Sequence, residues 1–500
     1  MKTRLLVCML FLTLMISINA QTRYDPTFQS LDSRPIPSWF EDAKFGIFIH
    51  WGPYSVPAWS PKGSYSEWYQ RWLLNKKTGG NVAPGAKEIW QHHEEVYGPH
   101  YSYYNFGDEF KASDFDPKYW AKLFENAGAK YIVLTSKHHD GFCLWPSKEA
   151  DRTWGFPWHS YTTGAKRDLI GDLKAEVDKT SVKFGLYYSM YEWYNPLYLK
   201  PDKKDFVENH MLPQMHELID KYQPWSFWTD GSWDHPSEVW KSKEFLAWLF
   251  NDSPVKNTVV VNGRWGSDIK KGGPYVGNFI STEYDGVEAL SRPWEECRGI
   301  GFSFGYNSNE DIADYNSSVS LVHMLIDIVS HGGNLLLDIG PDGQGKIPPV
   351  MQERLLDIGD WLKINGEAIY GTRKWKNSAQ WSAGKQSDGD TYKKEHKLAY
   401  LGGDFILKQT IDPDPGYAVK ELFFTTKDSN LYVILPKWNS TGKIVIKGLN
   451  LNKNKVIMVE SGQVLKYKNS GPDVEVSLPV FDPNVIKSKY AYVIRIEGVS

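Results

Sequence analysis

Between Lys44 and about Leu337, apolar runs of strand length alternate with amphipathic stretches of helical length. Eight runs read as strands: Phe45–His50, Tyr131–His139, Phe184–Ser189, Trp225–Asp230, Thr258–Asn262, Val276–Glu283, Gly299–Phe304 and Asn334–Asp338. The intervening patterns predict helices over Pro117–Ala127, Leu169–Asp178, Phe206–Tyr222, Ser237–Phe250 and Ile312–Val329, with Leu355–Ile364 closing the series. Asp116-Pro117 supplies a cap followed by proline at the first helical position. The strands are nearly continuous in apolar residues, as expected for a parallel sheet covered on both faces. Strand–helix alternation repeated about eight times predicts a closed (β/α)8-like TIM barrel rather than an open sheet.

The pattern changes twice outside this alternation. Ser60 to Phe106 lacks strong periodicity and is rich in Trp, Tyr and His, which predicts loops over the barrel mouth. After Trp375 the chain turns polar, and Lys376 to Lys397 reads as a linker or loop. From Ala418 short Val-, Ile-, Leu- and Tyr-rich runs of period two, separated by turns, predict an antiparallel β-sandwich. The expected organisation is a signal peptide over 1–20, a barrel over 21–372 and a β-sandwich over 373–500. Lys2 and Arg4 precede the apolar run Leu5 to Ile16, which is too short to span a bilayer and ends before Asn19-Ala20. Export to a periplasmic, extracellular or lysosome-like space is therefore expected. Removal of that segment takes Cys8 with it and leaves Cys143 and Cys297, expected as buried thiols.

Composition narrows the ligand. A net charge of −3 and the absence of basic blocks argue against nucleic acid. The chain carries 22 Trp and 29 Tyr, which suits a carbohydrate, whose C–H faces stack on aromatic rings while its hydroxyls need polar partners.

Polar residues collect where the expected strands end: His50; His138, His139 and Asp140; Tyr187, Tyr188 and Ser189; Asp230; Asn262 with Arg264; and Glu283. A run of such endings is what the catalytic face of a barrel predicts. Asp230 stands out, at the end of W-S-F-W-T-D-G between Trp228 and Trp233, although a strand-end Asp also serves as a cap. Adjacent His138 and His139 would point to opposite faces of a strand, a poor arrangement for chelating one ion, and no metal or other cofactor is expected. No G-x-S-x-G motif supports a serine nucleophile. Two carboxylates on separate barrel strands or loops, amid aromatics, suit glycoside hydrolysis. Spacing alone leaves the partner of Asp230 open among Glu67, Glu283, Glu295 and Glu296.

Several long motifs occur in order between about Pro37 and Tyr370: F-G-I-F-I-H-W-G-P-Y-S-V-P-A-W, Y-S-E-W-Y, K-H-H-D-G-F, F-W-T-D-G, P-W-E-E-C-R-G-I-G-F-S-F-G-Y-N and G-G-N-L-L-L-D-I-G-P. Together they resemble the α-L-fucosidases of glycoside hydrolase family 29, and Y-S-E-W-Y resembles its broad-specificity branch. The resemblance implies a barrel followed by a β-sandwich, exo-acting release of terminal α-L-fucose from fucosylated oligosaccharides or glycoconjugates, and a metal-free retaining double displacement. It implies Asp230 as nucleophile and Glu295, in W-E-E-C, as acid/base. His50, Glu67, Trp68, His138, His139, Tyr187, Trp228 and Arg264 match positions that hold the fucose ring. A fucose-binding lectin on an inactive barrel would lack Asp230 or Glu295, and both residues are present. A transfucosylating enzyme would share all of these residues. Oligomeric state is not legible in the chain.

Overall fold

The computed structural model describes residues 23–78, 85–269, 274–287, 290–398, 401–402 and 404–499. The expected signal peptide and Cys8 lie outside the described residues. Eight parallel strands form one curled sheet: β1 (Phe45–Ile49), β2 (Tyr131–Lys137), β3 (Lys183–Ser189), β4 (Ser226–Asp230), β5 (Val260–Val261), β6 (Ile280–Glu283), β7 (Trp294–Gly299) and β8 (Asn334–Ile339). Their order is β5-β4-β3-β2-β1-β8-β7-β6. The two end strands meet through Asn278, whose N–H donates to Val261 O at 2.8 Å and whose Oδ1 accepts from Val261 N at 3.0 Å. One backbone and one side-chain bond of Asn278 thus close the seam that short β5 cannot close with a ladder. Every residue of β1, β2, β4, β7 and β8 is buried, as a sheet with a packed interior and an outer helix layer requires. Asp116 caps the helix Pro117–Asn126 by accepting from Tyr119 N at 3.0 Å.

The seventh strand corrects the reading from sequence. It is Trp294–Gly299, and the apolar run Gly299–Phe304 leaves its end toward the mouth instead. The charged segment W-E-E-C-R can occupy the ladder because its charges find partners: Glu295 bonds Tyr131 and Trp228, and Glu296 pairs with Arg298. The apolar run is used differently, with Phe302 and Phe304 stacking on Tyr65 at 5.3 and 5.6 Å. The fifth and sixth strands are also shorter than the apolar runs that flagged them. The segment Ser60–Phe106, expected as loops, contains the helices Tyr69–Thr78, Ala86–Val96 and Asn105–Glu109.

The remaining chain builds two antiparallel sheets. One has the order β13-β16-β11-β10-β9 and comprises β9 (Arg373–Trp381), β10 (Lys420–Lys427), β11 (Asn430–Leu435), β13 (Val456–Met458) and β16 (Tyr492–Ile496). The other has the order β12-β15-β14 and comprises β12 (Lys443–Ile446), β14 (Tyr467–Ser470) and β15 (Asp473–Ser477). Their inner faces share a core that includes Phe424, Val433, Ile446, Val476 and Ile494. The polar stretch Lys376–Lys397 is not a linker, and only its middle is a loop. It begins inside edge strand β9 and ends beyond the helix Gly389–His396, which Asp388 caps. An edge strand paired on one side tolerates the polar sequence that disguised it. The helix Ser318–Ser330 is buried along nearly its whole length because the barrel lies on one side and the sandwich on the other. Lys420 of β10 pairs with Asp327 of that helix at 2.7 Å, and Trp361 Nε1 donates to Ala491 O at 2.9 Å.

Candidate active site

The C-terminal ends of the barrel strands surround a cavity of about 190 Å³. Asp230 ends β4, and Gly231 follows at φ 73°, where a Cβ would stand 2.5 Å from that of Tyr191. That turn needs glycine, and it leaves the Asp230 carboxylate aimed into the mouth. Arg264 Nη1 donates to Asp230 Oδ1 at 2.9 Å, and Tyr187 OH donates to Oδ2 at 3.1 Å. The other terminal nitrogen of Arg264 donates to Glu283 Oε2 at 3.1 Å. One guanidinium therefore joins two carboxylates, from β4 and from the end of β6. Burial alone would lower the arginine pKa, but Asp230 and Glu283 outweigh it and raise it. The same guanidinium lies over the Trp228 ring, 4.6 Å from its centroid, a cation–π contact.

Strand β2 ends at Lys137, so the two histidines that follow are free of strand alternation, and both line the cavity. His139 Nδ1 lies 2.5 Å from Ser189 Oγ. The Ser189 hydroxyl donates to Tyr191 O at 2.5 Å, so the His139–Ser189 bond needs its proton on Nδ1. His139 Nε2 is then an acceptor, facing Asp230 Oδ2 at 3.6 Å. Either acceptor can take the single proton of a hydroxyl that enters the cavity. His50 Nδ1 lies 2.6 Å from Asp338 Oδ1 on β8, and buried His138 Nδ1 has no protein partner. Burial pushes the pKa values of His50, His138 and His139 well below the ordinary histidine range, so the imidazoles are neutral. Among the described residues no three His, Cys, Asp or Glu side chains are placed to hold one metal ion.

Glu67 enters from the short turn Ser66–Trp68; its Oε2 accepts from Gly305 N at 2.9 Å and Ser303 Oγ at 3.3 Å. Burial lifts its pKa to about 8 against those bonds, leaving a protonated carboxyl able to donate at neutral pH. Trp68 stands edge-on to His139, with centroids 5.6 Å apart. Phe48, Tyr65, Trp228 and Phe304 make a contiguous aromatic surface, with Phe48 5.2 Å from Trp228 and Tyr65 5.6 Å from Phe304.

Nine of the ten residues that the family resemblance carried over line this one cavity: Asp230, His50, Glu67, Trp68, His138, His139, Tyr187, Trp228 and Arg264. Glu295 does not. It is the second residue of β7, in register with Asn334, the first residue of β8, so it sits near the closed end of the barrel. There it accepts from Tyr131 OH and, at 2.9 Å, from Trp228 Nε1. Glu283, at the mouth end of β6 and in register with Cys297, occupies the place expected for Glu295. The motif P-W-E-E-C carries no sign of how deep its strand begins. Trp233, the second tryptophan flanking Asp230 in the sequence, lines the cavity as well, and so do Phe48, Tyr65 and Phe304, which the sequence did not single out. Phe48 could have been found, because it lies two residues before His50 and shares its strand face. Cys143 and Cys297 are free and buried, as expected.

Comparison with known proteins bears on this geometry. The family described as Alpha-L-fucosidase matches residues 11–367, and the Alpha-L-fucosidase C-terminal domain matches residues 417–497. An alpha-L-fucosidase of Dictyostelium discoideum is 41% identical over 380 residues, covering 74% of this chain and 79% of its own. The tissue alpha-L-fucosidase of Homo sapiens is 37% identical over 489 residues, covering 95% of this chain and 92% of its own. The crystal structure of Thermotoga maritima alpha-fucosidase in complex with fucose superposes with a TM-score of 0.74 at 35% identity, covering 95% of this chain and all of that one. The chain, barrel and sandwich together, belongs to the α-L-fucosidase family of glycoside hydrolases.

Proposed function

We propose that the protein is an exo-acting α-L-fucosidase that removes terminal fucose from oligosaccharides or glycoconjugates with retention, using Asp230 as nucleophile and Glu283 as acid/base. The observation that carries this reading is the guanidinium of Arg264, which holds both carboxylates at the rim of one small cavity. A volume of about 190 Å³ falls below the 300–1,000 Å³ of drug-sized sites and suits one sugar ring at a chain end. Fucose is a 6-deoxy sugar. Its methyl group has an apolar surface to meet in Phe48, Tyr65 and Phe304, and its hydroxyls have neutral imidazoles and the Glu67 carboxyl. In the first step Asp230 attacks the anomeric carbon as Glu283 gives its proton to the departing glycosidic oxygen. In the second, Glu283 takes a proton from water, which attacks the same carbon and releases Asp230. Two inversions give net retention.

Glu295 is not assigned the proton-transfer role, because it bonds Tyr131 and Trp228 and does not line the cavity. Export through residues 1–20, with a boundary between barrel and sandwich near residue 372, completes the proposal; relatives in mammals are named as tissue and plasma enzymes. The test is hydrolysis of an aryl α-L-fucoside followed by NMR of the first-formed sugar. The α anomer supports retention. A β anomer overturns the double displacement, and tight fucose binding without turnover makes the protein a lectin.

A further inference from the structure

Glu295 and Glu296 are neighbours on β7 and face opposite ways, as strand residues must. Glu295 enters the barrel, whereas Glu296 turns to the segment leaving β6, which carries Glu283. Glu296 Oε1 accepts from the backbone N–H of Asp285 at 2.9 Å, and its other oxygen accepts from the Thr282 hydroxyl. Arg298, two residues on and on the same face, donates through Nε to Glu296 Oε1 at 2.7 Å and through Nη2 to the Asp285 carbonyl. Both polar groups of the Asp285 backbone are therefore gripped by one ion pair, and Thr282 is gripped on the other side of Glu283. Glu296 and Arg298 are 1% and 4% exposed. Apolar side chains would fill such a place at less desolvation cost, so the pair's value lies in the geometry it imposes. Tyr284 is anchored too: its hydroxyl donates to Phe302 O at 2.7 Å and accepts from Gly299 N at 2.9 Å. From the sandwich side, Leu401 N donates to Tyr284 O at 3.4 Å, and Lys393 Nζ lies 3.5 Å from Asp285 Oδ1.

We infer that Glu296 and Arg298 are positioning residues, an ion pair that clamps the Thr282–Asp285 backbone and thereby sets where the Glu283 carboxylate meets the leaving group. This rests on the reading of Glu283 as acid/base. Loosening the clamp affects the step that depends most on placing a proton, since a misplacement of 1 Å can cost about 10²-fold. It does less to a substrate whose leaving group departs without protonation.

The experiment compares kcat/KM for a fucosylated oligosaccharide with that for an aryl fucoside of an acidic phenol, in Glu296→Ala, Glu296→Gln, Arg298→Met, Glu283→Ala and the double variant Glu283→Ala/Glu296→Ala. Thermal melting is recorded for each. The oligosaccharide-to-aryl ratio is expected to fall about 10- to 100-fold in Glu296→Ala and Arg298→Met. Glu296→Gln, which keeps an oxygen for the Asp285 N–H, is expected to recover most of it. The double variant is expected to show no larger loss than Glu283→Ala alone. If Glu296→Ala melts too low to assay, Arg298→Met carries the same readout. An unchanged ratio in folded Glu296→Ala and Arg298→Met, with azide still rescuing Glu283→Ala, overturns the clamp and leaves the acid/base assignment standing. Glu283→Ala without azide rescue overturns both.

Discussion

Glu283 and Glu295 lie on adjacent strands of one barrel, and the difference between them is depth. Glu283 ends β6 at the open mouth, where Arg264 ties it to Asp230. Glu295 is the second residue of β7, near the closed end, where Tyr131 and Trp228 use its oxygens. A carboxylate at the mouth reaches a substrate; one at the closed end holds the barrel interior together. The two ends of a parallel barrel divide chemistry from stability, and residue type does not reveal which end a side chain occupies.

Removing Asp230 tests the mouth most severely. Asp230→Ala is expected to lower turnover of every fucoside by more than about 10⁴-fold, whatever the leaving group, because the attack on carbon comes before any role of the leaving group can matter. Measurable activity on an activated aryl fucoside would place the nucleophile elsewhere.

The next effect separates the two glutamates. Glu283→Ala is expected to lose about 10²–10⁴-fold on oligosaccharides, to retain formation of the fucosyl-enzyme from an aryl fucoside of an acidic phenol, and to yield fucosyl azide when azide is added. Glu295→Ala is expected to lose activity alike on both substrates, without azide rescue. It leaves two buried donors unpaired, each costing about 1–3 kcal/mol, and its melting temperature should fall accordingly. The opposite pattern would return the acid/base role to Glu295.

A smaller effect concerns pH. With Glu67 at about 8, its protonated carboxyl donates to the sugar below that pH, so KM should rise as pH passes upward through about 8. Glu67→Gln should remove that dependence. At the closed end burial raises Glu295 to about 7, so the folded state holds a proton that the unfolded chain releases near the ordinary 4.5. Its contribution to stability is full below about 4.5 and is lost as pH rises through about 7, a slope that melting curves of Glu295→Gln should flatten.

The smallest effect on catalysis is expected where barrel meets sandwich. Lys420 and Asp327 are both nearly buried, and Lys420 helps pull Asp327 down to about 2 despite its burial. Lys420→Met should destabilise the protein by about 3–5 kcal/mol in melting experiments while kcat on an aryl fucoside at 25 °C stays within about twofold. A large fall in kcat would extend the site into the sandwich.

Much of this was legible in the chain. Strand–helix alternation, buried apolar strands and a run of polar strand endings are local patterns, and they foretold the barrel, the end where its cavity opens and the residues around Asp230. The β-sandwich was legible for the same reason, through period-two runs such as Lys443–Ile446. Readings failed where a local pattern meets a partner distant in sequence. Edge strand β9 looks like a linker because one unpaired side admits polar residues. Strand β7 looks like a loop because its charges are satisfied by Tyr131, Trp228 and Arg298 only once the barrel has closed. By itself the sequence determined which residue types stand where strands end. Tertiary structure alone decided which glutamate lines the cavity, because the register of β7 against β8 sets how far a side chain lies from the mouth, and register is a property of paired strands rather than of either one.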